Sequence, residues 1–206
     1  MTTKFRSVLG LALLLVLVQI ATIPPAAAQA VNSNSGTVTL NATLGESLTV
    51  SVTSGNVVNF TLASNTAVNA GSGPTVVTTV WVLKPGRTQV TVWAWVANTA
   101  AALTGTGGAP ATIPASAVSI TTTAGLNAPA VANGALNTTL SGAAGAPAFI
   151  TAGGSGLNFA TKAITGLNKA SLIGASLAWN IDTTIVPQLP ADTYTGTVNI
   201  QAQATP

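Results

Sequence analysis

The sequence predicts an all-β protein, a single antiparallel β-sandwich behind an export signal. Three observations predict it. Apolar and polar residues alternate at period two in several segments, and no segment carries a 3.6-residue period, which is the pattern of half-buried antiparallel strands. Clusters of Gly, Pro and Asn separate those segments at strand-scale intervals. The 206 residues are 48% hydrophobic but only 4% charged. That is not the composition of a disordered chain, and it implies a packed domain with a polar surface of Thr, Ser, Asn and Gln.

The first 30 residues are set apart. Lys4 and Arg6 precede an apolar run from Val8 to Ile23, then Pro24-Pro25 and the small-residue stretch Ala26-Ala27-Ala28-Gln29-Ala30. Basic start, apolar run, helix break and Ala-x-Ala order predict a secretory signal peptide over 1–30, cleaved after Ala28 or Ala30. An uncleaved anchor would want about 20 apolar residues without the Pro pair. No Cys follows the run, which excludes a lipid anchor, so no stable membrane insertion is expected after cleavage and the product is secreted or held at the cell surface.

Residues 31–206 then form the predicted domain. In 37–44, Val38, Leu40, Ala42 and Leu44 alternate with Thr37, Thr39, Asn41 and Thr43; 46–53 repeats this with Leu48, Val50 and Val52. Residues 57–62 place Val58, Phe60 and Leu62 on one face. The clearest inner strand is 173–181, with Ile173, Ala175, Leu177, Trp179 and Ile181 in phase. Residues 194–204 alternate Val198, Ile200 and Ala202 with Thr197, Asn199, Gln201 and Gln203, and Tyr194 suggests a tyrosine corner whose hydroxyl bonds backbone upstream. The span 98–156 is rich in Ala, Gly, Thr and Pro and carries no charge; it reads as a crossover with loops and short strands at 117–122 and 148–151. With this many short strands the sandwich expected is of immunoglobulin-like type.

Pro85-Gly86 is a turn signal between two alternating segments. Read as an even-length hairpin, it pairs Trp81 with Val90, Thr79 with Val92 and Val77 with Ala94 on the core face. The other face then gathers Trp93, Trp95, Val76, Val80, Gln89 and Thr91. That face is the candidate interface or glycan-stacking patch, because flat indoles beside amides and hydroxyls suit a sugar ring, and exposed apolar patches mark contacts between chains.

Chemistry is thinly supplied. No Cys and no His are present, which removes disulfides, imidazole and thiolate metal sites, and His-based acid–base catalysis. Three carboxylates, Glu46, Asp182 and Asp192, make no motif; Asp182 and Asp192 alone are too few for a Ca²⁺ loop. No Gly-x-Ser-x-Gly, Ser-x-x-Lys or phosphate loop occurs. No enzyme activity, cofactor or metal is expected. Without the signal, Lys84, Arg87, Lys162 and Lys169 oppose the three acids, a net charge of +1, so nucleic acid has no electrostatic footing. A near-neutral surface favours self-association.

The exported start, the Cys-free Thr/Val strands and the ending Leu189-Pro190-Ala191-Asp192-Thr193-Tyr194-Thr195-Gly196-Thr197-Val198-Asn199-Ile200-Gln201-Ala202-Gln203-Ala204 resemble secreted bacterial fimbrial-subunit-like sandwiches of the spore coat U type. In these a Gly-x-Tyr-x-Gly/Asp turn feeds a closing Thr/Val strand. Asp192 stands where Gly is usual, and the paired Cys and terminal aromatic of some relatives are missing. The match is specific over 189–204 and carries over no binding residues. It implies a non-enzymatic structural or adhesive protein of the cell envelope, a homo-oligomer or filament. The alternative class is a secreted carbohydrate-binding module that holds surface glycans on the Trp pair.

Overall fold

The structure is a computed structural model that describes residues 35, 37–107, 111–139, 147, 149–150 and 153–206. The predicted signal peptide, 1–30, lies outside the described residues. The chain divides into two units, Met1–Thr43 and Leu44–Pro206. In the first, 37–43 is in no sheet, and Val38 and Leu40 are 83% and 89% exposed. The strand expected over 37–44 is therefore not formed: the segment keeps its alternation but pairs with no strand among the described residues.

The second unit is an antiparallel all-β sandwich. Its first sheet runs β1 (Ser47–Ser54), β3 (Thr75–Val82), β12 (Ala170–Ile181), β7 (Val118–Ala124), β9 (Gly134–Ala135), with β2 (Asn69–Ala70) beside β12. The second runs β10 (Thr138–Thr139), β11 (Ser155–Ala163), β4 (Gln89–Val96), β14 (Asn199–Thr205), with β8 (Ala130–Val131) beside β11. A small third sheet joins β13 (Tyr194–Thr195), β5 (Leu103–Gly105) and β6 (Thr112–Ile113). The helical turns among the described residues are two short 3₁₀ segments, Ala115–Ala117 and Thr183–Ile185.

Alternation explains the core. Val77, Thr79 and Trp81 point inward from β3, and Val90, Val92, Ala94 and Val96 from β4, each at most 2% exposed. From β12 come Ile173, Ala175, Leu177, Trp179 and Ile181, all buried as the period-two pattern of 173–181 requires. Both inner indoles are satisfied: Trp81 Nε1 donates to the Asn168 carbonyl at 2.9 Å and Trp179 Nε1 to Thr75 Oγ1 at 2.8 Å. At the end of β1, Gly55 takes φ +68°, and a Cβ there would lie 2.3 Å from the Pro74 carbonyl oxygen. Only glycine fits that turn.

The hairpin expected at Pro85-Gly86 is not formed. β3 pairs with β1 and β12, so Trp81 stands opposite Leu48 and Ser171. β4 pairs with β11 and β14. The turn instead carries the chain from one sheet to the other. Leu83 N–H is still bonded to Lys169 at the edge of the first sheet, whereas Thr88 N–H donates to Thr205 O in the second. Two packed sheets lie about 10 Å apart, within reach of a four-residue connection. Alternation decided correctly which face of each strand is buried, but it holds no information on which strand supplies the ladder.

Three further expectations change. Residues 57–62 form no strand beyond a single bridge from Phe60 to Gly71, although Val58, Phe60 and Leu62 still pack on the core. The strand expected over 194–204 is split: Tyr194–Thr195 belongs to the third sheet, and β14 begins only at Asn199. The span 98–156 is more than a crossover, because β7 matches the strand expected at 117–122 and Ile113, Val118, Ile120 and Leu136 are buried. Of the strand expected at 148–151, Ala148 and Thr151 lie outside the described residues, and Phe149-Ile150 is a turn and bend.

Candidate functional site

The two sheets cover the core unequally. On the side of β7 and β11 the inward residues Ile120, Phe159 and Ala160 are fully enclosed. On the other side lie the two outermost strands, β1 and β14, packed against each other without a shared ladder. Leu48, Val50, Ile200, Ala202 and Ala204 point inward there and remain only partly covered, and Val52 is 41% exposed. The edge of β14 away from β4 is unpaired among the described residues. An unpaired edge presents a row of free N–H and C=O groups able to take another strand.

This side opens into a cleft of about 930 Å³. Its floor is apolar, from Val52, Phe60, Trp179, Ile181, Leu189 and Ile200. Its rim includes Asn56, Ser64 and the 192–196 segment. The rim is held by two side chains. Tyr194 Oη donates to the Pro190 carbonyl at 2.6 Å, the contact expected of a tyrosine corner. Asp192 accepts from Gly107 N at 2.8 Å, Thr193 N at 2.7 Å and Thr106 Oγ1 at 3.2 Å. The Gly107 and Thr193 amides hold its carboxyl below the ordinary carboxylate range, because donors favour the charged form. Burial pushes the Tyr194 phenol up, and the Asp192 charge adds to this.

The other carboxylates are also engaged. Glu46 binds Arg87 Nε at 2.9 Å, with Lys84 Nζ at 3.9 Å, and the Arg87 hydrogen bond holds it below its ordinary value. Asp182 caps the second 3₁₀ turn through Thr184 N at 2.9 Å. Among the described residues no three acidic or otherwise metal-ligating side chains gather. Asp182 and Asp192 each accept from backbone N–H and from a threonine hydroxyl.

The predicted patch is divided by the sheet change. Trp93, Trp95, Gln89 and Thr91 share the outer face of β4 in the second sheet, where both indoles are half-buried. Val76 and Val80 lie on the outer face of β3, in the other sheet, with Val80 47% exposed. Trp93 Nε1 donates to Thr91 Oγ1 at 3.2 Å, which draws the indole along the strand. Trp95 has the Phe149 ring 6.4 Å away, tilted by 36°. Sequence reasoning missed the cleft, since its lining comes from five distant segments.

No protein-family model matches the chain, and no curated protein or solved structure matches it either.

Proposed function

We propose that this chain is a non-enzymatic, self-associating structural protein of the bacterial cell envelope, exported and then assembled by strand addition. The observation that carries the reading is an alternating segment, 37–44, that lies in no sheet and leaves its large apolar side chains exposed, in a chain whose sandwich has an open edge. Val38, Leu40 and Leu44 are 83%, 89% and 80% exposed, a costly arrangement for three large side chains in water. Residues 37–44 alternate just as β14 does, with apolar Ile200, Ala202 and Ala204 inward and Asn199, Gln201 and Gln203 outward. The same segment from a second copy, laid along the free edge of β14, aims Val38, Leu40 and Leu44 into the cleft and Thr39, Asn41 and Thr43 to water. Eight residues span about 27 Å of strand, slightly more than β14 itself. Backbone bonds supply affinity and alternate side chains supply specificity, as in other strand-addition contacts. The resemblance of 189–204 to fimbrial-subunit-like sandwiches points the same way.

The test is the oligomeric state of the processed chain by size-exclusion chromatography with light scattering. Assemblies are expected for the wild type. Val38→Asn, Leu40→Asn and Leu44→Asn together should give monomers, each lost burial being worth about 1.5–3 kcal/mol, or tenfold or more in Kd. A monomeric wild type, or assemblies unaffected by the three substitutions, would overturn the reading.

A further inference from the structure

We infer that the outer face of the second sheet is a binding site for a neutral glycan, separate from the cleft and from self-association. Three features of that face converge. The first is aromatic: Trp93 and Trp95 stand two residues apart on the central strand β4, both half-buried, with the Trp95 indole N–H itself buried and the Phe149 ring beside it. The Trp93 bond to Thr91 Oγ1 fixes the ring along the strand, which makes its exposed surface a preset plank rather than a mobile side chain. The second is polar. Register places Gln201 of β14 and Asn158 of β11 on either side of Trp93, Asn199 beside Trp95, and Gln203 beside Thr91. The side-chain amides of Asn199, Gln201 and Gln203 make no hydrogen bond among the described residues, whereas Asn158 is tied to Thr161. Each unengaged amide offers two donors and an acceptor.

The third feature is charge. β4 and β14 carry no ionisable side chain, and Lys162 of β11 is turned to the Asn127 carbonyl. Among the described residues of this face, an anionic ligand finds no cation and a cationic ligand no carboxylate. An apolar partner would bury the three amides unpaired, which is costly. A ligand with one apolar ring face and hydroxyls around its edge satisfies both parts: the ring face covers the indole and the hydroxyls meet the amides. That is a pyranose. Two indoles in sequence along one strand, with amides continuing on the next, favour a chain of several sugars over a single one.

The experiment titrates the processed chain with neutral hexasaccharides of β-1,4-linked glucose, mannose and N-acetylglucosamine, read by calorimetry and tryptophan fluorescence. Trp81 and Trp179 are buried, so a change in emission reports on Trp93 and Trp95. At least one hexasaccharide should bind and shift the emission. Trp93→Ala should weaken that binding by about tenfold or more, Gln201→Ala by a smaller factor, and Val80→Ser on the other sheet not at all. The same titration on the monomeric Val38/Leu40/Leu44 variant should give the same affinity, which separates this site from assembly. Failure of all three hexasaccharides to bind overturns the inference, as does binding that survives Trp93→Ala, or a wild-type assembly that Trp93→Ala dissociates. If Trp93→Ala does not fold, full affinity in Gln201→Ala combined with Gln203→Ala overturns it instead.

Discussion

Trp81→Ala puts the face assignment of the two central strands to a quantitative test. The side chain is 1% exposed and its indole N–H is bonded to Asn168 O at 2.9 Å. Removing it leaves a large cavity in the core cluster between the sheets, whose surroundings belong to two rigid ladders and cannot collapse far. Deletions of this size cost about 3–5 kcal/mol, a large share of the 5–15 kcal/mol by which domains are stable. For a domain of this length that is a fall in Tm of about 6–20 °C. Trp93→Ala removes a side chain already half in water and should cost only about 1–2 kcal/mol. Trp81→Phe keeps most of the volume and loses the N–H, at about 1 kcal/mol. Urea unfolding followed by far-UV circular dichroism, with an unchanged slope, gives all three. A Trp81→Ala cost at or below that of Trp93→Ala would show that the inner and outer faces are assigned the wrong way round.

Other perturbations have equally definite outcomes. Asn69 is 4% exposed, accepts from Ala63 N and donates to Thr66 O and Ile181 O; Asn69→Ala leaves those groups unpaired and should cost about 2–4 kcal/mol in urea unfolding. Gly196 has the Ala102 carbonyl oxygen 2.0 Å from where a Cβ would sit, so Gly196→Ala should displace the 192–196 rim and lower the Tm. Asp192 is depressed in the folded chain, so its stabilisation is present above the unfolded-state value and is lost as pH falls through the lower folded value. The stability difference between wild type and Asp192→Asn should be largest near neutral pH and close below about pH 4; a constant difference would refute the bonding described.

The sequence alone determined the fold class and the inside–outside order of the strands on both sides of Pro85-Gly86 and at 173–181, whereas β11 (Ser155–Ala163) carries no clean alternation and was not foreseen. Period two over 173–181 and on both sides of Pro85-Gly86 is a local property, set by which residues can face a dry core, and every one of those inward residues is buried. Tyr194 was equally legible, because its hydroxyl bonds backbone only four residues upstream. Pairing was not legible. Whether the chain turns back into its own sheet at 84–87 or crosses to the other depends on β1, β12, β11 and β14, which reach as far along the chain as Thr205 and compete for the same edges. That competition moved Val76 and Val80 away from Trp93 and Trp95. It also left β14 at the end of its sheet and 37–44 outside every sheet among the described residues, because an edge stays open only when every other strand has found its neighbour.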